Sequence, residues 1–385
     1  MYHHNKGFMI LEILLAMGLL VLICIPIFQI SVYLKSNTMH SNIFTKMHEI
    51  QGKSVTGVLR RSADLGGIKI CTSFLKNPGV LKKIEVGLQF GTTTVISSMK
   101  MLGGDIYMSL NSASTSDHDI AVFDPISKTI QASLHTGPGT SDMTFVGSSI
   151  YLTNTGVSSD VQHVTYQNSS LSLQNSCVLK TVRNDQRVPR VITAALNMLI
   201  VGFEKNDGPE IFVIDTSCRI LQRIETGYGI YDMYSIDDLV YVLGPSDPEI
   251  EVYKFEDGML NKIYTYDAPG FSGNGRSLDI YKEGVIFGRS RGNDELAYLS
   301  EEDNSLISKM SAKVGSSIDI IISGEEKHIV GTSNSNQELQ IFDTDLKKVT
   351  GMDLSGRVTS ALCVGDELFL GINSTTTPLT ILSHE

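Results

Sequence analysis

The chain changes its hydrophobic period twice. From Phe8 to Val32 it reads FMILEILLAMGLLVLICIPIFQISV, apolar with few breaks, and about 20 such residues are enough to cross a bilayer as a helix. From Tyr33 to Asp64 apolar residues recur at Ile43, Met47, Ile50, Val55, Val58 and Leu59, the spacing of a helix that continues the first beyond the membrane. Gly52 and Gly57 weaken that helix, and Gly66-Gly67 ends it. After residue 67 the period falls to two. Short alternating runs follow one another, separated by turn signals such as Asn206-Asp207-Gly208 and Glu256-Asp257-Gly258, with no long helical pattern between them.

These short strands repeat. Runs ending in a small residue recur at Ser109, Thr153, Gly202, Gly244, Gly288, Gly331 and Gly371, 40 to 49 residues apart. About a dozen residues further on, a second set ends at Asp124, Gln167, Asp215, Glu256, Ser300, Asp343 and Ser383, with spacings that track the first within one residue. Seven units of that length match the four-stranded blade of a β-propeller. The last unit shows three strands, near Val358 to Val364, Leu368 to Gly371 and Leu379 to Leu382. Its fourth is expected at the other end of the repeat, where KKIEVGLQF (Lys82 to Phe90) resembles the fourth strands KTIQASL (Lys128 to Leu134) and RILQRIE (Arg219 to Glu225). Pairing it with the last blade closes a seven-bladed ring as three strands plus one and removes the exposed sheet edges. The expected fold is thus an N-terminal transmembrane α-helix followed by an all-β, seven-bladed propeller.

Ahead of the apolar run stand only seven residues, MYHHNKG, with Lys6 as their charge, so this end is expected in the cytoplasm and everything after Val32 outside. A secretory signal would end in small residues after a short apolar core, whereas here the run is long and Gly7 precedes it. Glu12 lies inside the span, where an ionisable group is costly and needs a partner. The string Lys6-Gly7-Phe8-Met9-Ile10-Leu11-Glu12 with its apolar helix resembles the amino-terminal signature of type IV pilins and the pseudopilins of type II secretion. The resemblance covers about 30 residues and implies cleavage by a prepilin peptidase between Gly7 and Phe8, with N-methylation of Phe8. It implies that Glu12 pairs with the terminal amine of a neighbouring subunit, and that Pro26 kinks the helix, as a proline without its N–H does. Met9 departs from the Ser or Thr usual after the phenylalanine. A plain signal anchor is the competing reading. The organisation expected is a leader over 1–7, a transmembrane helix over 8–32, an extracytoplasmic helix or linker over 33–67, and the propeller over 68–385.

Charge sharpens this division. The chain carries −11 overall, but residues 1–67 carry +3 and the remainder −14. A head that acidic is not built to neutralise phosphodiester chains, so direct nucleic-acid binding is not expected. The five cysteines form no CxxC, and outside the membrane disulfides are chemically allowed for Cys71, Cys177, Cys218 and Cys363, with no pairing readable from spacing. Tryptophan is absent, which removes the WD dipeptide of WD40 repeats, the tryptophan-docking motif of quinoprotein dehydrogenases and the Asp-box of sialidases. The repeats resemble, in pattern only, bacterial extracytoplasmic propellers of the YVTN or LVIVD type.

Catalytic motifs are not found: there is no HExxH, GxSxG or P-loop. One constellation stands out. Asp142, Asp232, Asp279 and Asp319 recur near the start of the innermost strand of four repeats. A ring of carboxylates at one channel mouth would suit a hard cation such as Ca2+, or a cationic group of a ligand. Equally, each Asp would accept backbone hydrogen bonds from the loops between blades.

Two functional classes follow. The first is a minor type IV pilin or pseudopilin, with other pilin or pseudopilin subunits, the prepilin peptidase and the cytoplasmic membrane as partners. Its propeller would serve binding or adhesion to an extracellular ligand near a fibre tip, at the cell surface. The second is a membrane-anchored extracytoplasmic propeller that acts as an enzyme or assembly scaffold.

Overall fold

The computed structural model describes residues 81–384 apart from 87–93, 112–117, 138, 156–158, 180–186, 205–207, 246–248, 267–273, 283, 291–293, 303–304, 325–326, 334–336 and 375–376. The leader, membrane segment and stalk expected over 1–67 lie outside the described residues. Within them the chain forms seven four-stranded antiparallel sheets and no helix. The innermost strands of blades 1 to 7 are Val95–Leu102, Thr140–Val146, Pro189–Ala195, Asp232–Ile236, Gly275–Tyr281, Ile318–Ser323 and Val358–Val364. Each contacts the innermost strand of the blade before and after it, the seventh meeting the first, so the sheets form a closed seven-bladed propeller around a central channel.

Closure is by three strands plus one. Leu81–Val86 pairs antiparallel with Leu379–His384, in register Ile84 to Ile381 and Val86 to Leu379. The outer strand of the last blade is therefore the first described strand of the chain, and the sheet runs from it through Leu379–His384 and Glu367–Ile372 to Val358–Val364. This joins the two ends of the repeat by a full hydrogen-bonded ladder and leaves no open sheet edge between first and last blades.

The burial pattern explains why the repeat reads as it does. A blade packs both faces on its neighbours, so its second and third strands are apolar without alternation. Ser149–Asn154 (SIYLTN) is buried at every position after Ser149, and Ile211–Ile214 (IFVI) throughout. Innermost strands mix buried with half-buried positions because one face looks onto the channel, and outer strands such as Ser170–Cys177 expose most residues. The core is accordingly seven separate clusters, one between each pair of consecutive blades. That between blades 7 and 1 joins Phe369, Leu379 and Ile381 to Ile96, Met108 and Phe123, with Ile84 and Val86 of the closing strand against it. Blades 2 and 3 are also tied by a disulfide from Cys177 to Cys218, Cα atoms 5.3 Å apart.

The small-residue column lies on the second strand of each blade, where the next blade's chain comes closest. A Cβ on Gly202 would lie 2.8 Å from Cγ2 of Ile230, and one on Gly288 would come closer still to Ile318, whereas one on Gly244, just past its strand, would meet the Tyr228 ring of the crossing into its own blade. In blades 1 and 2 the same place is held by Ser109 and Thr153, whose hydroxyls instead bond to the innermost strand, Ser109 Oγ to Ser97 Oγ at 2.9 Å and Thr153 Oγ1 accepting from Asp142 N–H at 2.8 Å.

Gly288→Ala is expected to destabilise the head by about 1–3 kcal/mol, because Ile318 is held in a filled interface and has no room to withdraw. Denaturant unfolding of wild type and variant measures this. A loss below about 0.5 kcal/mol, the scatter of neutral surface changes, would show that the interface does not need the gap.

Candidate functional site

Two sets of polar side chains are built into the ring. The first lies in the crossings from each outer strand to the next blade. Immediately before the third strand of blades 1 to 6 stand Asp119, Asp160, Glu210, Glu249, Glu295 and Glu338, all buried. Buried crossing backbone must have partners for its N–H groups, and five of these carboxylates supply some of them. Asp119 accepts from the N–H of Thr136, Gly137 and Gly139, Asp160 from Leu179, Glu210 from Thr226, Glu295 from Val314 and Glu338 from Leu354. Glu249 instead accepts both Arg289 donors, Nε at 2.6 Å and Nη2 at 2.7 Å, in a buried bidentate pair. Seven residues after Asp160 and Glu249, and five after the other four, comes the second repeat column. Its aspartates Asp124, Asp215 and Asp343 each accept local N–H groups in the turn to the outer strand. The Ser127 hydroxyl, with the Ile126 N–H, holds the Asp124 carboxyl below its ordinary value, and the Arg219 N–H does so for Asp215.

The second set lines the channel, a cavity of about 1200 Å³ bordered by all seven innermost strands. In six blades a bulge breaks the pairing of the innermost strand at its start, at Ser97, Ser141–Asp142, Arg190, Arg276, Asp319 and Thr359. A bulge leaves its residue unpaired and turns its side chain away from the regular pleat. Each joint between consecutive innermost strands is closed by a side chain of these strands, in some blades from the bulge and in others from a regularly paired position. Ser97 Oγ donates to Thr140 O at 2.7 Å, and Thr193 Oγ1 meets Ser235 Oγ at 2.5 Å. Thr359 Oγ1 and Ser360 Oγ both donate to Ile96 O, at 2.8 and 2.9 Å.

Aspartates make the other joints. Asp142 accepts Met143 N–H on Oδ1 and Ile192 N–H of the next blade on Oδ2, at 2.8 and 3.0 Å. Asp232 does the same with Met233 and Leu278, at 2.9 and 2.8 Å. Asp279 does so with Ile280 and Ser323, at 2.8 and 2.7 Å. Asp319 differs, since it receives Nε and Nη2 of Arg357 from blade 7. All four aspartates therefore line the channel as the repeat spacing implies, but they do not converge. Among the described residues no three His, Cys, Asp or Glu side chains come together to hold a metal ion. Asp142, Asp232 and Asp279 are engaged by backbone N–H groups and Asp319 by a guanidinium, so a cation at this ring would compete with those bonds. Gly7, Phe8, Glu12 and Pro26 lie outside the described residues.

The channel has two levels of opposite charge. At the mouth where the innermost strands begin stand Arg190, Arg276, Arg357, Asp319 and Tyr231. The Tyr231 ring has the Arg190 guanidinium at 4.5 Å and that of Arg276 at 5.1 Å. Arg190 also bonds Tyr231 O and Glu204, each at 3.2 Å. Burial raises the Asp319 carboxyl above its ordinary value, against the pull of Arg357, Arg276 and Arg190. Further in lie Lys100, Asp142, Asp232 and Asp279. Lys100 bonds Met143 O and lies 3.6 Å from Asp142. The Asp232 carboxyl, enclosed by protein although its residue still borders the channel, is pushed up to about 7 by desolvation, with the nearby Asp142 charge adding to the rise and its two backbone N–H bonds and Lys100 opposing it. Sequence reasoning found the aspartates by their similar offsets, 9 to 12 residues ahead of the small-residue column. It missed the arginines, of which only Arg190 and Arg276 share an offset, and the crossing acids, whose fixed place before the third strand is visible in the repeat.

No protein-family model matches the chain, and no curated protein matches it in sequence. Solved structures do. The chain is similar to the computationally designed Ika8 protein at 10% identity and TM-score 0.53, covering 79% of this chain and 100% of that one. It is similar to U3-55K at 12% and 0.55, covering 79% and 98%. It is similar to a catalytically inactive variant of virginiamycin B lyase from Staphylococcus aureus, solved with quinupristin, at 12% and 0.60, covering 80% and 100%. At such identities the likeness concerns the fold alone.

Asp232 makes a pH signature. Its folded value near 7 lies above the ordinary 3.8, so the folded head holds this proton more tightly and loses stability from it as pH rises from about 4 to about 7. His328, lowered to about 4 chiefly by burial, contributes the opposite slope in much of that window, so the difference between proteins is the clean measure. The stability of Asp232→Asn relative to wild type is expected to improve steadily between pH 4 and 7 and to be level on either side. A difference independent of pH in urea titrations would show that Asp232 is not shifted.

Proposed function

We propose that the chain is a pilin-like subunit: a minor type IV pilin or pseudopilin whose propeller is a binding head carried outside the cell. The observation that carries this reading is the string Lys6-Gly7-Phe8-Met9-Ile10-Leu11-Glu12 leading into an apolar run of membrane-spanning length. Glu12 gives that run a reason to assemble, since a carboxylate in hydrocarbon is stabilised by the terminal amine of a neighbour.

The head supports the placement in two ways. The Cys177–Cys218 disulfide joins two blades, and disulfides persist outside the reducing cytosol. A closed ring with an open, charged channel is also a rigid frame suited to presenting a ligand site. Size narrows the role. A head of about 318 residues is roughly 50 Å across by the usual scaling, whereas helices in a bundle pack about 10 Å apart. Many adjacent copies would collide, so a tip or sparse position is favoured. No helix among the described residues is long and apolar enough to cross a membrane, which leaves the 8–32 segment as the proposed anchor.

Processing tests the reading. The mature terminus, read by mass spectrometry from the membrane fraction, is expected to begin with methylated Phe8, and deletion of the prepilin peptidase is expected to restore the seven-residue leader. An intact Met1 in both strains would overturn the proposal. Glu12→Ala is expected to be cleaved normally yet to be lost from sheared fibres by about tenfold or more, the effect of removing one partner of a desolvated charge pair.

A further inference from the structure

We propose that the arginine-lined mouth of the channel is a binding site for a small oxyanion, a carboxylate or phosphate group, with Arg276 as its principal donor. The proposal rests on reading the head as a binding module and names the chemistry that it binds.

Three guanidinium groups meet at this mouth, and they are not equivalent. Arg357 is engaged by Asp319 through Nε and Nη2. Arg190 is partly engaged, by Tyr231 O and Glu204. Arg276 has no hydrogen bond and no ion pair among the described residues, and its Nε is buried without a partner. A bulge presents it to the cavity, and stacking near the Tyr231 ring at 5.1 Å orients it without using its donors. A buried guanidinium nitrogen left without an acceptor is unfavourable, and its planar fork fits a carboxylate or phosphate in two parallel bonds. Arg190, 4.5 Å from the same ring, puts a second guanidinium beside that position.

Charge selects the size of the ligand. The mouth places three cations against Asp319 and Glu204, so its local field is positive, whereas residues 68–385 carry −14. The local field acts within about 8–10 Å at ordinary salt. A small anion entering the mouth feels chiefly the arginines. A long polyanion would also lie against the acidic surround. Further entry is opposed by Asp142, Asp232 and Asp279, which keeps the oxyanion at the mouth.

The test uses the full chain in detergent micelles, titrated calorimetrically at low, constant ionic strength with inorganic phosphate, galacturonate and, as the uncharged control, galactose. Saturable one-to-one binding of phosphate, galacturonate or both, but not galactose, is expected, and which of the two binds identifies the source of the group. Arg276→Gln is expected to weaken binding by about tenfold or more, the effect of losing a charge-assisted hydrogen bond, with an unchanged melting temperature. Arg223→Gln, on the exposed outer strand of blade 3, is expected to bind as wild type does. Failure of both oxyanions to bind, or equal binding by Arg276→Gln, overturns the site. Methylated Phe8 without oxyanion binding would remove this inference and leave the pilin reading standing. Oxyanion binding to a chain with intact Met1 would do the reverse.

Discussion

The structure depends on buried carboxylates that satisfy the backbone where one blade hands over to the next. A propeller must bring its chain from the rim back to the axis seven times, and each return buries N–H groups that no sheet ladder can reach. Asp119, Asp160, Glu210, Glu295 and Glu338 accept those groups, whereas Glu249 is instead paired with Arg289, which donates on to Asp294 O. A net hydrogen bond contributes only about 1 kcal/mol, but a buried donor left unpaired costs about 1–3 kcal/mol. Five such crossings without their acids would therefore cost an amount comparable to the stability of a whole domain. In blade 7 the position is Pro378, and there the sheet is held by the ladder to Leu81–Val86 instead.

A second girdle of side chains closes the ring at the axis, and it decides what the channel can do. Since each of the seven cores lies between two blades, no blade is stable alone and the innermost strands must be locked to one another. Serine and threonine hydroxyls do this at three joints, aspartates at three and the Asp319–Arg357 pair at one. Bulges hold four of these fastening residues, Ser97, Asp142, Asp319 and Thr359, and the same feature in two other blades holds Arg190 and Arg276. The polar lining of the channel is thus a by-product of fastening the blades, and the groups left over after fastening are the ones available to a ligand. Arg276 is such a group, whereas Asp142, Asp232 and Asp279 are fasteners first.

Much of this was legible along the chain. The column from Ser109 to Gly371 and its companion from Asp124 to Ser383 placed the blades, and the resemblance of Lys82–Phe90 to other outer strands placed the closing strand, seen as Leu81–Val86. The four aspartates were found because they recur at similar offsets, 9 to 12 residues ahead of the small-residue column. Their role was not, because a carboxylate offered to a metal and one that accepts two N–H groups look alike in sequence. The difference is the position of Ile192, Leu278 and Ser323, each 44 to 50 residues away. Arg190 and Arg276 share an offset, each twelve residues ahead of the small-residue column and each in a bulge, but only two repeats carry it, and Arg357 stands outside it, just before its strand.

The sequence by itself determined the period-two strands, their seven-fold repetition, the three-plus-one closure and the contrast between an apolar, basic N-terminal segment and an acidic remainder. These are local or periodic properties, written in the spacing of apolar and turn residues. Only the tertiary structure decided that the small-residue column exists because the next blade crosses within van der Waals reach, that Cys177 pairs with Cys218, and that an acidic head carries a positive mouth. Those facts depend on which residues meet across blades. The ring brings together positions about 40 or more residues apart, and no local pattern records what stands on the far side of an interface.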